Sequence, residues 1–183
     1  SNLNKYTLYT KTQLMKRILI LIVAITSLYG CTKGESFDYP SSVPDDFSIA
    51  LTWNCYGVSS YDSTTGKLIK TTDATNPDDY ITYYQLTKED KEYIYNLIVS
   101  MDIYSYPNIY NPHGDLKSDP PMTLILTVNI NGSEKTIKAE DICVEFSTRN
   151  KKGQRFLSTC KSIINRLQTT QEWKALPEYE HFY

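Results

Sequence analysis

The stretch from Met122 to Ala139 leaves the chain little conformational freedom. Met122, Leu124, Leu126, Val128 and Ile130 recur at every second position, the period that puts alternate side chains on one face of a half-buried strand. Asn131-Gly132 follows at once, and this dipeptide suits the two-residue turn whose central residues both need positive φ. The strand is expected to fold straight back along residues 134–139. Any fold for this chain must contain that antiparallel pair, and the remaining elements have to be built around it.

The same alternation runs through Phe47, Ile49, Leu51, Trp53 and Cys55, which predicts a first strand. Asp62-Ser63-Thr64-Thr65-Gly66 supplies turn chemistry before Lys67-Leu68-Ile69-Lys70, so a hairpin closing back on the first strand is expected. Residues 80–86 are aromatic and β-branched and read as a third strand. Thr87 with Asp90 approaches a capping box, and Ile94, Leu97, Ile98 and Met101 share one helical face, predicting a helix over 88–101. Phe156, Leu157, Cys160, Ile163, Ile164 and Leu167 predict a second amphipathic helix from about Gly153. Between the first helix and the Met122 strand, residues 102–121 carry Pro107, Pro112, Gly114 and Pro120-Pro121, the composition of a long loop. The expected order is β-β-β-α-β-β-α. It corresponds to an α+β fold, an antiparallel sheet of about five strands with two amphipathic helices packed on one face.

Ahead of this domain stands a different kind of segment. Met15-Lys16-Arg17 is followed by an apolar run from Ile18 to Leu28, 11 residues long. A bilayer-spanning helix needs about 20, so the run reads as the core of a secretory signal. Leu28-Tyr29-Gly30-Cys31 resembles the lipobox of bacterial lipoprotein precursors, with Tyr29 slightly atypical. The resemblance implies cleavage before Cys31, lipidation of its thiol, and attachment to an envelope membrane: the outer membrane or cell surface in a Gram-negative host. Residues 1–14 then read as a non-native extension or a start set too early, 15–30 as the signal peptide, 31–46 as a lipidated tether with Pro40 and Pro44, and 47–183 as one globular domain.

Trp53-Asn54-Cys55-Tyr56-Gly57, the capped helix running into Tyr106-Pro107 and Tyr110, the Asn-Gly hairpin with Lys135-Thr136-Ile137-Lys138, and Glu172-Trp173 together resemble small bacterial envelope lipoproteins without an assigned activity. That resemblance implies a fold and a compartment. It carries over no catalytic residue.

All 21 acidic residues but only 15 of the 19 basic ones follow Cys31, a formal charge of −6. This argues against nucleic acid as a partner, since such binding needs a basic footprint. Arg149, Lys151, Lys152, Arg155, Lys161 and Arg166 gather positive charge around the last helix, which reads as a solvated face before a lipid-contacting one. His113-Gly114-Asp115 with Asp119 offers a candidate metal or acid–base loop, the centre of an alternative reading as an envelope hydrolase or metal-dependent enzyme. Neither paired histidines nor a cysteine pair accompany it, no metal centre or cofactor is expected, and a non-catalytic binding domain is preferred. Tyrosine is unusually common, 16 in all, and Tyr56, Tyr83, Tyr84, Tyr104, Tyr106 and Tyr110 are candidates for a surface that takes an envelope protein or glycan. Core filling and codon bias are the competing explanation. Of the cysteines left after lipidation, Cys55 with Cys160 is the favoured disulfide and Cys143 with Cys160 the alternative.

Overall fold

Strands that alternate apolar and polar residues bury one face only, so the strands of this chain need a shared core on one side and water on the other. The computed structural model describes residues 36–55, 59–71, 79–114, 121–142 and 148–178. Among them, β1 (Ser48–Trp53), β2 (Ser59–Asp62), β3 (Lys67–Thr71) and β4 (Asp79–Tyr83) lead into α1 (Lys88–Met101) and a 3-10 turn at Ile103–Ser105. The chain continues through β5 (Met122–Ile130), β6 (Ser133–Ile142), α2 (Lys151–Gln168) and the short α3 (Gln171–Lys174). The strands form one sheet of six in the order β4-β3-β2-β1-β5-β6, every neighbouring pair antiparallel.

The α+β class and the antiparallel sheet agree with expectation; the count of about five strands and two helices is corrected to six and three among the described residues. The additional strand is β2, which separates β1 from β3: Ala50 pairs with Asp62, and Asp62 with Lys67. Lys67–Thr71 therefore closes on β2 and never reaches β1. Ser59-Ser60-Tyr61-Asp62 has one large apolar residue and no alternation to detect, yet Ser59 and Tyr61 are both buried by their neighbours.

The inner face of the sheet carries Ile49, Leu51 and Trp53 from β1, Tyr61 from β2, Leu68 from β3, Leu124, Leu126, Val128 and Ile130 from β5, and Ile137 and Ala139 from β6, all buried. Ile94, Ile98 and Met101 of α1 and Phe156, Cys160, Ile163 and Leu167 of α2 are buried as well, closing the core from the helical side. Each such side chain contributes roughly 1.5–3 kcal/mol on burial. The helix ends obey local rules. Thr87 and Asp90 complete the capping box of α1, and Asn150 caps α2 by accepting from the amides of Lys152 and Gly153.

Asn131 (φ 50°) and Gly132 (φ 72°) form the expected tight turn. Asp46 holds it from outside, accepting the Asn131 N–H at 3.0 Å and the Gly132 N–H at 2.6 Å. Asp46 belongs to the segment expected as a free tether, and the structure differs there. The compact unit begins at Asp38, with the Tyr39 hydroxyl donating to Asp102 at 3.0 Å and the Tyr95 hydroxyl to the Pro40 carbonyl at 2.6 Å. Proline-rich composition signals extended backbone, but extended backbone can lie along a surface as readily as it can project from one. Among the described residues no helix is long and apolar enough to cross a membrane.

Candidate functional site

The six candidate tyrosines separate once they are placed. Tyr56 lies outside the described residues. Tyr106 is buried, its hydroxyl donating to the Lys152 carbonyl at 2.8 Å. Its ring packs edge-on against Tyr110 at 5.1 Å, and both rings lie against Phe156 of α2. Burial pushes the Tyr106 phenol up to about 12. Tyr104 donates to the Ser133 carbonyl at 2.6 Å, and its ring lies tilted against Tyr39 with centroids 5.9 Å apart. These three tie the 102–114 loop to the domain. Tyr104 and Tyr106 spend their hydroxyls on main-chain carbonyls, the usual way a buried phenol is satisfied, whereas the Tyr110 hydroxyl accepts from the Asn150 side-chain amide at 3.4 Å.

Tyr83 and Tyr84 are consecutive and so leave the chain in opposite directions. Tyr84 turns inward and donates to Asp90, and desolvation together with that carboxylate pushes its phenol up to about 12. Tyr83 turns outward and stays 64% exposed, beside Ile81 at 50%. Of the described tyrosine candidates, Tyr83 is the one that presents most of its ring to solvent.

His113 sits in a turn in which its own N–H donates to the Asn111 side chain at 2.8 Å. Asp115 and Asp119 lie outside the described residues, as do Cys31 and Cys143. The turn docks against α2 where Gly153 lies: a Cβ there would meet the Pro112 carbonyl oxygen at 3.0 Å. Any larger residue at 153 would crowd this contact and push the turn by a few tenths of an ångström, and the sequence pattern held no hint of it. No group of three potential metal ligands is present among the described residues.

Cys55 and Cys160 are both free thiols, so the favoured disulfide is not formed. Strand β1 ends at Trp53, and Asn54 at φ 80° breaks the period-two parity that had placed Cys55 on the inner face. Cys55 ends half-exposed in an isolated bridge to Met122, whereas Cys160 is wholly buried in α2, its thiol pushed up to about 12 by desolvation. An unreactive, protonated core thiol is the result.

Two features escaped the sequence: the joining of the capping residue Asp90 to Arg166, and a groove beside α1. Asp90 is only 2% exposed and gathers the Thr87 amide and hydroxyl, the Tyr84 hydroxyl and Arg166 Nε at 2.6 Å. Burial alone would raise its pKa, but hydrogen bonds from Thr87, Tyr84 and Arg166 outweigh it and hold the carboxyl at about 2. Arg166 also reaches Glu89 at 3.1 Å, so this cation from the basic run is a clamp between α1 and α2. The second feature is an open groove of about 560 Å³ between residues 41–45 and α1, lined among others by Asp45, Lys88, Lys91 and Asn96. Its walls mix both charge signs and favour no one ligand class.

The remaining distinctive surface is the edge of the sheet at β4. Asp79, Ile81 and Tyr83 are exposed along it. The outer face continues inward as a row, Ile81 beside Ile69, then Ser60, Thr52 and Ile125, ending at Lys138 on β6. No protein-family pattern matches the chain, and no characterised protein matches it in sequence.

Proposed function

We propose that this chain is a lipid-anchored protein of the bacterial envelope whose domain binds a partner without turning it over, and that it receives that partner at the β4 edge. The observation that carries the reading is the pair Ile81 and Tyr83, exposed side by side on an edge strand. An exposed apolar edge is a hazard that proteins commonly blunt with charged side chains, proline or a bulge; β4 carries a single charge, Asp79 at its start, and neither lysine, proline nor a bulge. It also has what strand addition uses: main-chain groups for affinity and alternate side chains for specificity. The attachment rests on the charged start, short apolar run and lipobox-like Leu28-Tyr29-Gly30-Cys31.

Two experiments in living cells test the two halves. Metabolic labelling with an alkyne fatty acid should mark the native chain and not Cys31→Ala; equal labelling of both would remove the anchor. A photoreactive amino acid at position 83 should give a discrete adduct that the same group at Ile109, itself 82% exposed, does not give. Indistinguishable adducts at the two positions would overturn the edge as the binding surface.

A further inference from the structure

The β4 edge has a regular backbone pattern. The Tyr84 N–H donates to the Gly66 carbonyl at 2.7 Å, one step beyond the pair Lys67↔Tyr83. Bonded and non-bonded pairs alternate along an antiparallel ladder. Thr82 and Tyr80 therefore spend their main-chain groups on β3, while Asp79, Ile81 and Tyr83 turn N–H and C=O toward the free edge. The residues with exposed side chains are the same ones whose edge-facing backbone groups no strand pairs with among the described residues.

We propose that β4 pairs antiparallel with β4 of a second copy, about a two-fold axis at Ile81, so that one continuous sheet runs through both. This deepens the reading of β4 as a binding edge and rests on it. The sequence Asp79-Tyr80-Ile81-Thr82-Tyr83 is complementary to its own reverse. In the Ile81-centred register, Ile81 meets Ile81 of the second copy at the axis, apolar against apolar. Tyr83 meets Asp79 of the second copy on both sides, a phenol donor against a carboxylate acceptor. Lys67, the register neighbour of Tyr83, adds a cation in the same row as that incoming carboxylate. Every outward-facing backbone group of β4 finds a partner in this register, and the interface is isologous, as a closed dimer requires. Shifting the axis to Tyr80 sets Ile81 against Asp79, and shifting it to Thr82 leaves the Asp79 groups without their β4 partner.

At the axis, hydrogen-bonded antiparallel partners have Cα atoms about 5.5 Å apart, within the separation a disulfide spans. The full chain carrying Ile81→Cys should therefore form a reducible covalent dimer on mild oxidation. The unsubstituted chain, with its own thiols, and Ile109→Cys should not. Ile81→Lys sets like charges against each other across the axis and should weaken dimerisation in sedimentation by at least about tenfold, with an unchanged circular dichroism spectrum. A chain that sediments as a monomer at all concentrations, with Ile81→Cys cross-linking no more than Ile109→Cys, overturns the dimer. In that event a position-83 photo-adduct to a different protein leaves the edge as a binding site with another occupant. Failure of the adduct as well removes both proposals.

Discussion

The two ends of the sheet solve the same problem differently. At the β6 end, residues 108–110 lie alongside the strand: the Lys138 N–H donates to the Asn108 carbonyl at 2.7 Å and the Tyr110 N–H to the Lys138 carbonyl at 3.0 Å. That added segment is brief and flanked by Pro107 and Pro112, which offer no N–H to a further strand. At the β4 end, nothing among the described residues plays this part, and Ile81 and Tyr83 face solvent. One edge is terminated by the chain itself, and the other carries no added segment among the described residues. The contrast is a physical reason to look for recognition at β4. The tyrosine-rich loop looked like a binding surface from its composition, but it is the device that closes the opposite edge.

The largest expected effect comes from dismantling the closed end. Phe156→Ala removes the ring on which Tyr106 and Tyr110 rest and should cost about 4 kcal/mol in denaturant unfolding. Hydrogen exchange at the Lys138 amide should accelerate more than at the Thr82 amide, because the strap depends on those rings. Equal acceleration at both ends would mean the strap is held by its main-chain bonds alone.

Next in size is the clamp behind the open end. Asp90→Ala leaves Arg166 with Glu89 alone, removes the acceptor of Thr87 and frees Tyr84, the residue that follows β4, and should cost about 2 kcal/mol. The same group predicts an acid response. Its folded pKa of about 2 lies below the ordinary 3.8, so the stabilisation is present above the ordinary value and is lost as pH falls through the folded one. The loss amounts to about 2 kcal/mol between roughly pH 4 and 2. Asp90→Ala should flatten that part of the stability–pH curve, and an unchanged slope would assign the acid response to other carboxylates.

The smallest effect on stability is the one that separates folding from binding. Ile81→Lys and Ile109→Lys are both surface changes and should each move stability by no more than about 0.5 kcal/mol. Only the first should alter association. Matching association behaviour in the two variants would erase the functional difference between the edges, whatever their structural difference.

Much of the fold was legible in advance. The helix expected over 88–101 is Lys88–Met101, its capping box is complete, and the Asn131-Gly132 turn joins β5 to β6. The candidate residues fared differently because composition does not say where a polar tip will point. Tyr106 and Tyr83 were equivalent as tyrosines in a sequence, and a buried carbonyl claimed one of them. The Cys55–Cys160 pairing relied on strand parity persisting past Trp53, and one residue of positive φ at Asn54 ended it.

What the sequence determined by itself was everything set by neighbours a few positions apart: strand and helix periodicity, the cap at Thr87 and the turn at Asn131-Gly132, since propensity, capping and turn chemistry act over that range. Tertiary structure decided which strand lies beside which, and joined Asp90 to Arg166 across 76 positions. It also assigned the 108–110 segment to one edge of the sheet, while among the described residues no segment pairs with the other. Those outcomes depend on contacts between residues far apart in the chain, and no local pattern encodes which of many distant partners a side chain will meet.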